Sequence, residues 1–228
     1  MDVPAFKIAS FESADLALLR TIAATGKPII MSTGMASLGE IDEAVRTIRE
    51  AGAEQLALLK CTSAYPASPD DMNLRTIPHL RQSFGVPTGL SDHTLGVAVP
   101  IAAVAVGACI IEKHLALSRD EPGPDTAFSL EPDEFATMVR AVRVAEASLG
   151  CISYGPSGGE RESRAFRRSL YVVEDVAAGE PFSHDNVRSI RPGHGLHPRY
   201  LDDVIGRTAA SDIRRGTPMT WELIGGGG

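Results

Sequence analysis

Two histidines carry the sharpest chemical signal in the chain. His93 follows a short apolar run inside GLSDHTLG, and His114 follows another inside IEKHLAL. Imidazole is the commonest protein ligand for metal ions. If both runs are strands and the strands are neighbours, the two rings close adjacent strand ends and can share one ion. Two protein ligands leave coordination positions open, which suits a catalytic ion that meets a substrate oxygen rather than a closed structural site. The competing reading of either histidine alone is a hydrogen-bonding loop residue. Histidine count does not choose between Mn²⁺, Mg²⁺ and Zn²⁺.

Lys7 stands among Phe6, Ile8 and Ala9. A lysine pointing inward from such a run needs an anionic partner, because burying a bare charge is costly. Phosphate or carboxylate binding follows as its expected role. Lys60 and Lys113 invite the same reading, with an outward orientation as the alternative. Glu12, which directly follows Ser10 and Phe11, could serve as a general base or hydroxyl acceptor. It could equally be a helix N-terminal carboxylate stabilised by the macrodipole. Small hydroxyls recur after the other apolar runs, in Ser32-Thr33-Gly34, in Thr62, Ser63 and Tyr65, and in Ser91-Asp92-His93-Thr94. Such groups at helix starts are natural phosphate cradles. The turn-rich DEPGPD segment at residues 120–125 could fold over such a site or be a plain surface loop. His79, His184, His194 and His197 have no comparable setting and read as surface or packing residues.

The elements that must position these groups are legible as a repeat. Apolar, non-alternating runs occupy residues 5–9, 28–31, 56–61, 86–90 and 109–113, as expected for parallel strands covered on both faces. Amphipathic segments lie between them. In residues 38–51, Leu38, Ile41, Val45 and Ile48 share one face, and Ser37 with Glu40 makes a capping box. Alternating strands and helices predict βα units whose loops converge at the C-terminal strand ends. The repeat stops near Gly150. Residues 1–150 read as one domain, 151–165 as a Gly/Ser-rich linker, and 166–228 as a small, mostly β domain. A complete (β/α)₈ barrel takes about 250 residues. Either the five strands form an open sheet, or the first three units of a barrel are absent from the chain.

Bulk properties exclude several classes. The chain has 228 residues and a net charge of −7, with no basic stripe, so nucleic acid is not an expected partner. No apolar run reaches the ~18 residues needed to span a bilayer, and the cytoplasm is the expected compartment. Cys61, Cys109 and Cys151 are widely spaced and read as reduced, with Cys61 and Cys109 in apolar core runs. The terminal Gly225–Gly228 run reads as a disordered end.

At these same residues the chain resembles the sialic acid synthase family, and within it most resembles the pseudaminic acid synthases. The likeness runs through KIASFE (7–12), KPIIMSTGMA (27–36), LLKCTSAYPA (58–67), GLSDHTLG (89–96), IEKHLAL (111–117), GPD (123–125) and SLEPDEF (129–135). It continues into that family's antifreeze-like (SAF) domain through RRSLYVV (167–173), SIRPGHGLHP (189–198) and VIGRTAASDIRRG (204–216). The resemblance implies an α/β fold, the last five βα units of a TIM barrel followed by a mostly β SAF domain. It implies condensation of phosphoenolpyruvate with an N-acylated amino sugar to give a nonulosonic acid and phosphate. His93 and His114 would hold a divalent metal, Mn²⁺ ahead of Mg²⁺ or Co²⁺. Lys7, Ser10, Ser32, Ser63 and Ser91 would face phosphoenolpyruvate. Glu12, assigned with the two histidines to catalysis, would join Tyr65 and Asp125 at the acceptor sugar. Arg191 would reach the active site of a partner in a domain-swapped homodimer and bind an N-acyl group. Lys60, SAYPA and AFSLEPDEF favour the pseudaminic branch over an N-acetylneuraminate or legionaminate synthase. The family's barrel begins earlier, so a truncated chain is expected to fold poorly alone and to lack activity. An inactive fragment persisting as an interaction module is the alternative of another class.

Overall fold

The structure, a computed structural model, describes residues Val3–Gly225. It falls into two compact units, Met1–Cys151 and Ile152–Gly228. The expectation for the glycine tail beyond Gly225 lies outside the described residues.

In the first unit five strands form one parallel sheet in sequence order: β1 (Phe6–Ile8), β2 (Ile29–Ser32), β3 (Leu56–Cys61), β4 (Thr88–Asp92) and β5 (Ile111–Lys113). The helices are α1 (Leu16–Ala23), α2 (Leu38–Glu50), α3 (Thr76–Phe84), α4 (Ala98–Ala105) and α5 (Pro132–Leu149). This is half of a TIM barrel. Among the described residues β1 and β5 each have a hydrogen-bonded strand on one side only.

The sheet is curled rather than flat. Lys7 of β1 and Glu112 of β5 lie 3.4 Å apart. Four strand spacings in a flat sheet would separate their backbones by roughly 19 Å, more than the two side chains span. Curvature is supported from outside by an apolar layer. Ile8, Met31 and Leu58 of the strands pack with Leu19, Ile48 and Leu80 of α1, α2 and α3. A second cluster joins Ile77, Leu90 and Ala103. Gly89 is required in β4, since a Cβ there would sit 2.2 Å from the Ile110 carbonyl oxygen and 2.8 Å from Leu59.

Local sequence signals account for the helix ends. Glu40 N–H donates to Ser37 Oγ at 3.3 Å, and Ser37 N–H donates to Glu40 Oε2 at 2.7 Å. Three details differ from the sequence reading. Leu38 is 53% exposed, because it opens the first turn of α2, beyond the reach of the strands beneath Ile41, Val45 and Ile48. Cys109 is exposed rather than in the core. It precedes the edge strand β5, where its thiol donates to the Thr88 carbonyl at 3.2 Å. The fourth strand runs to Asp92 rather than ending at Leu90, since pairing with β5 continues through Asp92↔Lys113.

The second unit pairs β6 (Ser169–Val172) with β7 (Val187–Ile190) antiparallel and adds isolated bridges such as Val176↔Ile213 and Ala209↔Ile224. A one-turn helix, α6 (Leu201–Val204), completes it. Leu170, Val172, Phe182, Val187, Val204 and Met219 form its core. The segment expected as a linker carries two short 3₁₀ turns, Gly158–Glu160 and Glu162–Phe166. No helix among the described residues is long and apolar enough to cross a membrane.

Candidate active site

The C-terminal strand ends of the first unit gather most of the polar residues singled out in the sequence. A charged layer lies across the inside of the curl. Lys7 Nζ donates to Ser32 Oγ at 2.9 Å and faces Glu112 at 3.4 Å. Ser91 Oγ donates to Glu112 Oε1 at 2.6 Å. One cation, one carboxylate and two hydroxyls from β1, β2, β4 and β5 therefore form a connected set. Beside it Gly34 N–H donates to Ser10 Oγ at 3.0 Å. A Cβ at Gly34 would stand 2.4 Å from Ser63 Oγ and 2.7 Å from Ser10 Oγ, so only glycine leaves those two hydroxyls in place.

Side chains alternate along a strand, so Ser91 and His93 share a face, as do Glu112 and His114. The His93 and His114 rings are 5.2 Å apart between centroids. Tyr65 packs 4.3 Å from His93, and Phe128 packs 5.0 Å from His114. Asp125 Oδ2 lies 3.7 Å from His114 Nδ1. The 120–125 loop thus brings Asp125 beside the histidines. The base of that loop is tied down by Arg119, which bonds Glu134 through both terminal nitrogens and donates to the Ser129 carbonyl at 3.2 Å.

Electrostatics differ between the two imidazoles. Burial pulls the His93 pKa down, but hydrogen bonds to Cys61 and the Thr62 carbonyl outweigh it and leave it raised. Burial, followed by the nearby charge of His93, lowers His114 and favours its neutral form. Burial pushes the Cys61 thiol up. Hydrogen bonds with His93, Ser10 and Ser63 and the charge of His93 more than offset this and bring it to about 7. His93 Nδ1 lies 2.9 Å from the Thr62 carbonyl oxygen. A proton on Nδ1 donates there and leaves the Nε2 lone pair available, the arrangement by which outer groups orient metal-binding histidines. The two imidazoles are donors of the type that divalent ions accept. Among the described residues no group of three or more His, Cys, Asp or Glu is placed to hold one.

Other expected residues make local bonds of their own. Glu12 Oε2 accepts the Ala9 N–H at 2.9 Å, capping its own turn. Lys60 donates to the Cys61 carbonyl at 2.7 Å and to Thr62 Oγ1 at 3.2 Å. Lys113 is buried against Asp92. Arg191 belongs to the second unit, exposed directly after β7. Its loop is held by Ser169 Oγ, which donates to the Pro192 carbonyl at 2.7 Å and accepts the Gly195 N–H at 2.9 Å. Glu112 and Phe128 received no site role from the sequence. For Glu112 a signal existed, because it precedes His114 by the same two residues that separate Ser91 from His93. Phe128 had none, since only the folded loop sets it on the His114 ring.

The first unit thus presents a curled half-barrel with a polar, charged layer beneath paired histidines, and comparison with known proteins gives the family. The NeuB family matches residues 1–154 and the SAF domain matches residues 167–224. The chain belongs to the NeuB family, and its relatives include pseudaminic acid, legionaminic acid and N-acetylneuraminate-9-phosphate synthases. It is 45% identical to the pseudaminic acid synthase of Campylobacter jejuni strain 81-176 over 96% of its length, spanning 64% of that protein. It is 38% identical to the N,N'-diacetyllegionaminic acid synthase of Legionella pneumophila, covering 98% of this chain and 64% of the relative. The crystal structure of an N-acetylneuraminic acid synthetase from Leptospira borgpetersenii, in complex with citrate, matches with TM-score 0.66 at 37% identity. That match covers 71% of this chain and 56% of the other.

Proposed function

We propose that this chain carries the greater part of a pseudaminic acid synthase-type enzyme, acting in the cytoplasm on phosphoenolpyruvate and an N-acylated amino sugar. The observation that carries the reading is the layer of Lys7, Ser32, Ser91 and Glu112 set beneath His93 and His114. Lys7 and the hydroxyls of Ser10, Ser32, Ser63 and Ser91 bind the phosphate and carboxylate of phosphoenolpyruvate. The amide of Gly34 keeps Ser10 oriented for that task. Tyr65, Asp125 and Glu12 receive the acceptor sugar. His93 and His114 hold a divalent ion, Mn²⁺ first, which when bound supplies Lewis acidity toward a carbonyl oxygen.

Carbon C3 of phosphoenolpyruvate forms the new bond to the sugar aldehyde carbon, whose oxygen takes up a proton. Water adds at C2, and the C2–O bond then breaks to leave a ketone and hydrogen phosphate. The residues contribute through preorganisation, holding two anionic groups and an aldehyde in reacting order before charge develops. Arg191 supplies a guanidinium to the N-acyl group from a partner subunit of a homodimer.

The pseudaminic branch is supported by the 45% identity to the Campylobacter enzyme, against 38% for the legionaminic relative. The experiment assays this chain, beside one extended to the length of its relatives, with Mn²⁺, phosphoenolpyruvate and acceptors of pseudaminic, legionaminic and neuraminic type. Phosphate release and product mass are read together. Aldehyde-dependent release, fastest with the pseudaminic-type acceptor, is expected from the extended chain. No release with any acceptor would overturn the reading.

A further inference from the structure

One buried ion pair has no part in the chemistry proposed above. Lys113 Nζ donates to Asp92 Oδ2 at 2.6 Å, with the two side chains 1% and 0% exposed. Lys113 also donates to the Thr94 carbonyl. The second carboxylate oxygen, Asp92 Oδ1, accepts the Thr94 N–H at 2.9 Å and the Thr94 hydroxyl at 2.8 Å. Asp92 and Lys113 are direct register partners on β4 and β5. Each immediately precedes one of the paired histidines, and alternation turns them to the opposite face from Ser91, Glu112 and the imidazoles.

We infer that Asp92, Thr94 and Lys113 form a positioning clasp that fixes the spacing and orientation of His93 and His114. The clasp grips the chain on both sides of His93, through the Asp92 side chain and through the amide, hydroxyl and carbonyl of Thr94. It also fixes the backbone one residue ahead of His114. A buried ion pair is a poor device for stability alone, because apolar residues of similar size are often neutral or stabilising in its place. What it supplies is a specified geometry. Here that geometry joins the two strand ends that carry the rings, 5.2 Å apart between centroids.

The inference rests on the metal reading above, and its test separates the two. Mn²⁺ affinity is measured by isothermal titration on the chain extended to its relatives' length, with thermal melting recorded for the same samples. The double variant Asp92→Leu/Lys113→Met is expected to fold but to melt below the wild-type temperature, because it leaves the buried Thr94 amide and hydroxyl without acceptors, while its Mn²⁺ Kd rises about 10–100-fold, the usual cost of losing an outer-shell orienting group. A folded double variant with wild-type Kd would overturn the clasp and leave the metal site standing. Should that variant not fold, Thr94→Val gives the reading. It keeps the ion pair and removes one hydroxyl bond, and a severalfold weaker Kd is expected, with unchanged affinity again overturning the clasp. Failure of the wild-type chain to bind Mn²⁺ would sink the metal reading and the clasp together.

Discussion

The two units bury polar groups for different purposes. In the second, Ser169 and Asn186 are the buried polar residues among those described, and both serve the backbone. Ser169 holds the Pro192–Gly195 turn, and Asn186 accepts the Ser183 amide while donating to the Pro181 carbonyl. In the first unit Ser10, Ser32, Ser91, Asp92, His93 and Thr94 are buried at strand C-termini, and several bond to other side chains. Polar groups spent on turns stabilise a shape. Polar groups that bond to one another around a curled sheet store a geometry for a ligand, and that is where chemistry belongs.

The contrast can be broken most directly at the histidines. His93→Ala or His114→Ala, in the chain extended to its relatives' length, is expected to lower kcat by about 10³-fold or more. A bound ion contributes several kcal/mol to transition-state charge stabilisation. Turnover and Mn²⁺ affinity at wild-type levels in either variant would remove the first unit's claim to the chemistry. Next in size, Phe182→Ala should destabilise the second unit by roughly 3–5 kcal/mol, since Phe182 is fully buried in its core. Calorimetry should show one transition falling while the other stays in place; two transitions moving together would mean the units do not unfold separately.

A smaller effect tests whether the second unit is scaffold alone. Arg191→Ala is expected to raise the acceptor-sugar KM about ten- to a hundredfold, the value of roughly 1.5–3 kcal/mol for one lost charge-assisted hydrogen bond. Steady-state kinetics with kcat little altered is the expected pattern, and an unchanged KM would confine function to the first unit. Smallest of all, Ser37→Ala should cost about 1 kcal/mol by removing the α2 cap, with no change in acceptor KM. Denaturant unfolding measures the first effect, and a KM shift would mean that the cap region reaches the site.

Much of this was legible because the signals are local. The five strands, the Ser37–Glu40 box and the small β domain follow from runs and caps only a few residues long. The partial barrel and SAF domain read from the sequence are the fold observed. What escaped depends on partners distant in sequence. The Asp92–Lys113 pair is invisible until β4 and β5 lie in register, although each residue sits beside a histidine already under suspicion. Lys113 looked like a candidate for anion binding because nothing local says that its anion is a neighbouring strand's aspartate. Leu38 and Cys109 had the right residue types for a core but stand at element ends, where packing runs out.

The Lys7–Glu112 pair also says something about how such a sheet is assembled. The hydrogen-bonded strand pairs of the first unit join consecutive strands, so contacts can be added neighbour upon neighbour as the chain is ordered, each step closing only a short loop. Lys7 and Glu112, 105 positions apart, meet across the curl only once all five strands are in place. Each parallel pairing must still wait for a whole helical crossover, which makes such sheets slow to form. The long-range closure is left to a partly exposed ion pair, which contributes little to stability. The arc is therefore set by helices packing behind the strands, and the two charges are held near each other by a backbone that does not need them in order to bend.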